Sequence, residues 1–260
     1  MGYIETDSNL LAGVTFASEN HKQALIDAVS SGMDRHLKRY IVQAQRDQVL
    51  INRNGAEIFL PAYPVDHVAR VCTEQRDVLT ITGTGQVATF SVGESALKLL
   101  RINSGANSAN SLAVVSYSTL SALAVAISAV PGFTATVAAG YENHPTADLV
   151  RGRSGSCHAA ATLAIWIDGD SFQVDHQRGW VSIRGYCPQE VRVVWTGGFN
   201  PVPADLQKVC ADLVANAADP KNGAIVSESM GKYSYTISND LNSLPVTSKA
   251  VLDSYKNRGC

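Results

Sequence analysis

The stretch VRVVWTGGFNPVPADLQKVCADLVANA, residues 191–217, sets the reading of the whole chain. Val191, Val193 and Trp195 fall at alternate positions, the pattern of a half-buried strand, and Gly197, Gly198, Asn200 and Pro201 end it. Leu206, Val209, Cys210, Leu213, Val214 and Ala217 then recur at helical spacing and form one apolar stripe. Pro203 suits the first turn of that helix, where its missing N–H leaves nothing unpaired, and Asp205 complements the positive end of the helix dipole. The expected unit is strand, glycine turn, helix.

Working outward toward the N-terminus, Ser18 is placed to cap a helix whose stripe is Leu25, Ile26, Val29, Met33, Leu37, Tyr40 and Ile41. The predicted span is 18–42. Arg35, Lys38 and Arg39 at its end read as a solvated basic face complementing the dipole, in preference to a phosphate-contacting one. Asn54-Gly55, between QVLI and EIFLP, predicts a hairpin with a type I′ turn. Pro61 and Pro64 then enforce extended backbone around Tyr63, and His67–Val71 resumes a strand.

The middle of the chain has a different composition. No charged side chain lies between Arg101 and Glu142, and Ser, Ala, Gly, Asn and Thr dominate. Residues 78–82 and 86–92 alternate as strands, 118–130 reads as a buried helix ended by Pro131-Gly132, and 133–138 as a further strand. That helix is too short for a bilayer, which needs about 20 apolar residues. A single helical turn is expected over 145–150, and short strands over 160–167, 172–174 and 180–184. Toward the C-terminus, Tyr233, Tyr235 and Ile237 share one face of an expected strand, and Thr247 precedes a last helix with Val251, Leu252 and Tyr255 on its apolar side.

Three of these blocks, in order, resemble the head-tail connector (adaptor, or head-completion) proteins of long-tailed bacteriophages. The first is Leu60-Pro61 and Pro64-Val65 after a long helix; the second is Gly198-Phe199 with Val202-Pro203 and Asp205-Leu206 opening a helix. The third is Gly231, Tyr233, Ser234 and Ile237 followed by Ala250, Leu252, Tyr255 and Lys256. What the resemblance implies is an α+β fold: a helical connector core, made of a long N-terminal helix, C-terminal helices and a hairpin, carrying a mainly β insertion domain. The corresponding division is 1–76 and 186–260 for the core and 77–185 for the insertion. The two helical segments, with Leu25, Val29, Leu206 and Leu213, are expected to share one interior.

The implied role is structural, not enzymatic. It is a homo-oligomeric ring, typically a dodecamer, docked under the portal protein at the virion's head-tail junction. The ring extends the DNA channel and offers a docking surface to a neck, stopper or tail component. Double-stranded DNA passes through the lumen without sequence-specific binding. The protein is made in the host cytoplasm, and no membrane and no cofactor is implied. Tyr255, Lys256 and Arg258 are the candidate portal contacts, and Tyr233 and Tyr235 candidate ring or core contacts. A different neck or tail protein is the alternative within the same class.

Composition agrees with that class. A net charge of -2 lacks the basic excess of a protein that grips nucleic acid. Charged residues are 17%, below the usual quarter, so much of the surface must be neutral. Five scattered cysteines without a CxxC pair read as free thiols in a reducing compartment. The first 14 residues lack the basic and apolar regions of a secretory signal, and Gly2 with Thr6 is too weak a match to read as an acylation site.

Chemistry-bearing candidates are few. Gly83, Gly85 and Ala88 fit a dinucleotide-type glycine pattern, but a strand follows where a helix is needed, so a tight turn is expected. Cys157, with His144 or His176 as base and Asp168 or Asp175 as orienting group, is the one arrangement that would make a cysteine hydrolase. A core cysteine is the plainer reading. His144, His158, His176 and Cys187 lack metal-site spacing, and Asp168, Asp170 and Asp175 read as turn residues.

Overall fold

The computed structural model describes residues 2–52, 57–169, 171–184, 189–218 and 246–256. Along the chain it forms α1 (Glu19–Leu37), β1 (Ala44–Ile51), β2 (Glu57–Phe59), β3 (Val65–Gly83), β4 (Val87–Val92), β5 (Ala96–Asn103) and β6 (Ala106–Ala113). There follow α2 (Leu120–Ser128), β7 (Phe133–Val137), β8 (Ser154–Ser156), β9 (Ala161–Asp168), β10 (Phe172–Asp175), β11 (Trp180–Ile183) and β12 (Glu190–Gly197). Two further helices, α3 (Ala204–Ala218) and α4 (Val246–Tyr255), complete the described elements.

This overturns the expected helical connector core with its hairpin. Among the described residues, twelve strands in three sheets outweigh four α-helices, and strands enter the regions assigned to the core as well as the middle of the chain. The hairpin fails for a tertiary reason. β1 pairs with β12 while β2 pairs with β11, so the strands flanking Asn54-Gly55 enter different sheets, and the turn itself lies outside the described residues.

The chain divides into two compact units, one of Met1–Arg70, Ser171–Cys187 and Val193–Cys260, the other of Val71–Asp170 and Pro188–Arg192. In the first unit α1 begins where expected. The Ser18 hydroxyl accepts a hydrogen bond from the His21 N–H (3.1 Å) and so supplies one of the acceptors that a helix start lacks. It ends earlier than the apolar stripe indicates, because Lys38 turns into the left-handed region (φ 54°) and Tyr40 and Ile41 leave the helix. Leu25, Ile26, Val29, Met33 and Leu37 of α1 bury against Leu206, Val209, Cys210 and Val214 of α3 and Leu252 of α4. Leu213 packs on the same cluster, so the helices at the two ends of the chain share an interior. A small sheet, β10-β11-β2, belongs to this unit as well.

The second unit has its own core. A four-stranded antiparallel sheet, β6-β5-β4-β8, and a ladder in which β3 pairs with both β7 and β9 contribute Ile81, Phe90, Leu97, Leu99, Leu163 and Ile165 to it. α2 packs Leu120, Leu123 and Ile127 into the same cluster. Its cap is Thr119, whose hydroxyl accepts from the Ala122 N–H (3.3 Å), so the helix starts two residues inside the expected 118–130 span. The expected separate strands at 67–71 and 78–82 are one continuous β3. Asp148 in this unit is 1% exposed; Arg192 Nη1 donates to it at 2.8 Å and so neutralises a carboxylate that burial would otherwise penalise, and His144 Nε2 lies 3.1 Å from its other oxygen.

Candidate assembly site

Two of the three motif blocks meet around the turn that leaves β12. Gly198 has φ +109°, and a Cβ there would lie 2.7 Å from Gln43 N, Ile41 O and Val42 C, all backbone atoms. Only glycine lets the turn approach so closely. The approach is held by Phe199 N–H to Ile41 O (2.7 Å), Gln43 N–H to Phe199 O (3.1 Å) and Gly198 N–H to Pro64 O (2.9 Å). Trp195, fully buried, donates its indole N–H to Ala62 O (3.2 Å). The Leu-Pro-x-x-Pro-Val stretch is therefore the acceptor strip onto which the Trp-Thr-Gly-Gly-Phe turn is laid.

Arg39 sits at the centre of this junction and is 6% exposed. Its guanidinium stacks on the Tyr63 ring at 3.3 Å and lies 5.5 Å from the Phe199 ring, and Nη2 donates to the Tyr63 carbonyl. Burial lowers its pKa from the ordinary arginine value. Reading Arg39 as part of a solvated basic cluster is thus corrected: α1 stops before it, and aromatic faces supply the contacts that water would otherwise make. The sequence signal for this was Tyr63, an aromatic held between two prolines.

The third block joins through α4. The Tyr255 hydroxyl donates to the Asp205 carboxylate (3.1 and 3.2 Å), and its ring meets the Phe199 ring edge-on with centroids 6.1 Å apart. Burial first, then the Asp205 carboxylate, raises the Tyr255 pKa, so the phenol stays a donor. Asp205, in the first turn of α3, also accepts from the Leu206 N–H (2.8 Å), one of the donors a helix start leaves without an intrahelical partner, while it anchors the end of α4. Lys256 follows directly and is half-buried. Beside the turn an open groove of about 800 Å³ runs between the N-terminal segment (Tyr3, Thr6, Asp7) and Phe199, Asn200 and Val202.

The structure thus brings Tyr255 to the second motif, while Tyr233, Tyr235 and Arg258 lie outside the described residues. The hydrolase candidates are not assembled in this way. Cys157 is fully buried in the apolar core of the second unit, and burial raises its pKa, the reverse of what an activated thiolate needs. His158 Nε2 is engaged with Gly85 O (2.8 Å), and His144 with Asp148. His176 belongs to the first unit, where Nδ1 lies 2.8 Å from Val65 O. Gly83 ends β3 and Gly85 turns (φ +114°) into strand β4, as a tight turn requires. Among the described residues no cluster of His, Cys, Asp and Glu could hold a metal ion, and no helix is long and apolar enough to cross a membrane.

Neither a protein-family model nor a curated protein sequence matches the chain. One similar solved structure is titled "Neck of empty GTA particle computed with C6 symmetry". It is 13% identical, with 99% of this chain and 89% of that chain covered, at a TM-score of 0.41. A likeness this distant assigns no role.

Proposed function

We propose that this protein is a structural component of the neck of a tailed phage or phage-like particle, a head-tail connector that assembles as a ring beneath the portal. The observation that carries the reading is the meeting of the motif blocks. Residues that resemble connectors in three separate parts of the sequence are packed around Arg39, Phe199 and Tyr255 in one unit. Motif residues that serve one another's geometry are what a shared architecture requires, whereas chance matches would scatter over both units. Anchoring α4 through Tyr255 would fix where Lys256 is presented for contact with the portal.

A role in assembly, not catalysis, also accords with the burial of Cys157. The near-neutral net charge suits a conduit, because a strongly basic lumen would hold phosphates by releasing their counterions and slow the passage of DNA. The partners in this reading are further copies of the chain, the portal and a stopper or tail component. Electron microscopy of the purified full chain, with and without portal, is the test. Rings that cap the portal support the proposal. A protein that stays monomeric and never joins the portal overturns it.

A further inference from the structure

The sheet β6-β5-β4-β8 in the second unit ends in two outer strands that share an unusual chemistry. β6 reads ANSANSLA and β8 reads SGS, without a charge or a proline between them. β6 lies inside the longest neutral run of the chain, Ile102–Tyr141, and β8 comes after it, directly behind Arg153. Among the described residues neither strand has a second hydrogen-bonded neighbour. Both are exposed along most of their length, and Val115, two residues past β6, is 83% exposed. Sheet edges that must remain single are usually protected by Lys, Pro, a bulge or an inward charge, because an open row of N–H and C=O groups templates further pairing. Neither strand has a charge or a proline for this purpose, and β6, eight residues long, is not protected by shortness either, as the three-residue β8 is.

Direction and side-chain size then select the occupant. Successive pairs in this sheet are antiparallel, β6 to β5, β5 to β4 and β4 to β8, so β6 and β8 run in opposite senses. A second copy placed head-to-tail beside the first would therefore bring its β8 antiparallel to β6, the more favourable pairing. The facing rows are small. Leu97, Leu99 and Phe90 point into the core, so their partners Leu112, Asn110 and Gly155 share that face. Ala109, Ser111, Ser154 and Ser156 are left on the other. A neutral edge favours a neutral partner, since a charged strand would lose its hydration with nothing to pair it. The outer strands β1, β2, β9 and β10 would bring Arg46, Asp47, Glu57, Asp168 and Asp175, and the neutral β7 would leave every β8 open. A two-fold β6-to-β6 contact would leave every β8 open, while the head-to-tail contact uses both edges and closes when the rotation does.

We propose that the outer edge of β6 is the docking site for a second copy of this chain, whose β8 edge continues the sheet. The contact rests on the neck reading only in requiring several copies in one assembly. The test is cross-linking of the full chain carrying Cys187→Ser and Cys260→Ser, since Cys72, Cys157 and Cys210 are buried. Ser154→Cys is combined in turn with Asn107→Cys, Ala109→Cys and Ser111→Cys, and copper-phenanthroline with oxygen is the oxidant. The expected result is a ladder of covalent species beyond the dimer in at least one double variant, with each single variant monomeric. Dimers from a single β6 cysteine would show a two-fold contact and overturn the proposal, as would no ladder in any pair. Rings on the portal without a ladder would refute this contact and leave the neck reading standing. A ladder without portal-bound rings would do the reverse.

Discussion

Replacing Gly198 with alanine tests whether the β12 turn is held by backbone approach. The new Cβ would sit 2.7 Å from three backbone atoms of residues 41–43, and neither backbone can give way cheaply. An L-residue in the left-handed region costs about 1–2 kcal/mol. Relief of the clash would have to loosen the hydrogen bonds that Gly198, Phe199 and Gln43 make, each worth about 1 kcal/mol net. The expected loss is about 3–5 kcal/mol, a large part of the roughly 5–15 kcal/mol that stabilises a typical domain. Gly13→Ala is the matched control, because Gly13 also has a positive φ (86°) but a Cβ there meets nothing within 4 Å. It should cost only the conformational part, about 1–2 kcal/mol. Urea titration followed by tryptophan fluorescence, to which the fully buried Trp195 contributes, reads both variants. Equal losses for the two, or a Gly198→Ala protein within about 0.5 kcal/mol of wild type, would refute the close-approach account.

Three further outcomes are expected. Arg39→Lys should destabilise the first unit by about 1–2 kcal/mol, because a lysine cannot lie flat on the Tyr63 ring; a double-mutant cycle with Tyr63→Leu showing no coupling would refute the stacking. Asp34 is raised above the usual carboxyl pKa by burial, against the hydrogen bonds it accepts from Tyr3 Oη (2.9 Å) and Ile41 N (3.2 Å). Its contribution to stability is therefore complete below the ordinary value of about 4 and is lost as pH rises through the raised one. Asp34→Asn should gain on wild type between pH 3 and pH 7 in thermal melts, and a gap that stays level or narrows would contradict this. Gly32→Ala, inside α1 with open space at the Cβ position, should add about 0.5–1 kcal/mol, and a loss in the same urea titration would refute the open space beside Gly32.

Local signals in the sequence carried some elements and not others. The Ser18 cap, the stripe of α1 and the turn into α3 were legible because each depends on neighbours within a turn or two. β3 was read as pieces because its alternation is broken at its irregularities, between Cys72 and Glu74 and between Asp77 and Leu79. β5 and β6 were hidden differently. A strand of Asn, Ser and Ala has no apolar rhythm, and β5 is placed by packing Leu97 and Leu99 under it. Asn54-Gly55 gave a strong local signal that tertiary pairing overrode, since β12 and β11 took the strands on either side. At the candidate site Phe199, Asp205 and Tyr255 were each visible as motif residues. Arg39 was not, because what gives it a role is a ring from one distant segment and a ring from another.

The neutral run from Ile102 to Tyr141 contains no group that titrates in the ordinary range except tyrosine, and no Lys, Arg, Asp, Glu or His for counterions to shield. Any adhesion built on it would keep its strength from dilute buffer to brine and from mild acid to mild alkali. A particle joint made of such material would stay shut through changes of surroundings that loosen joints held by ion pairs.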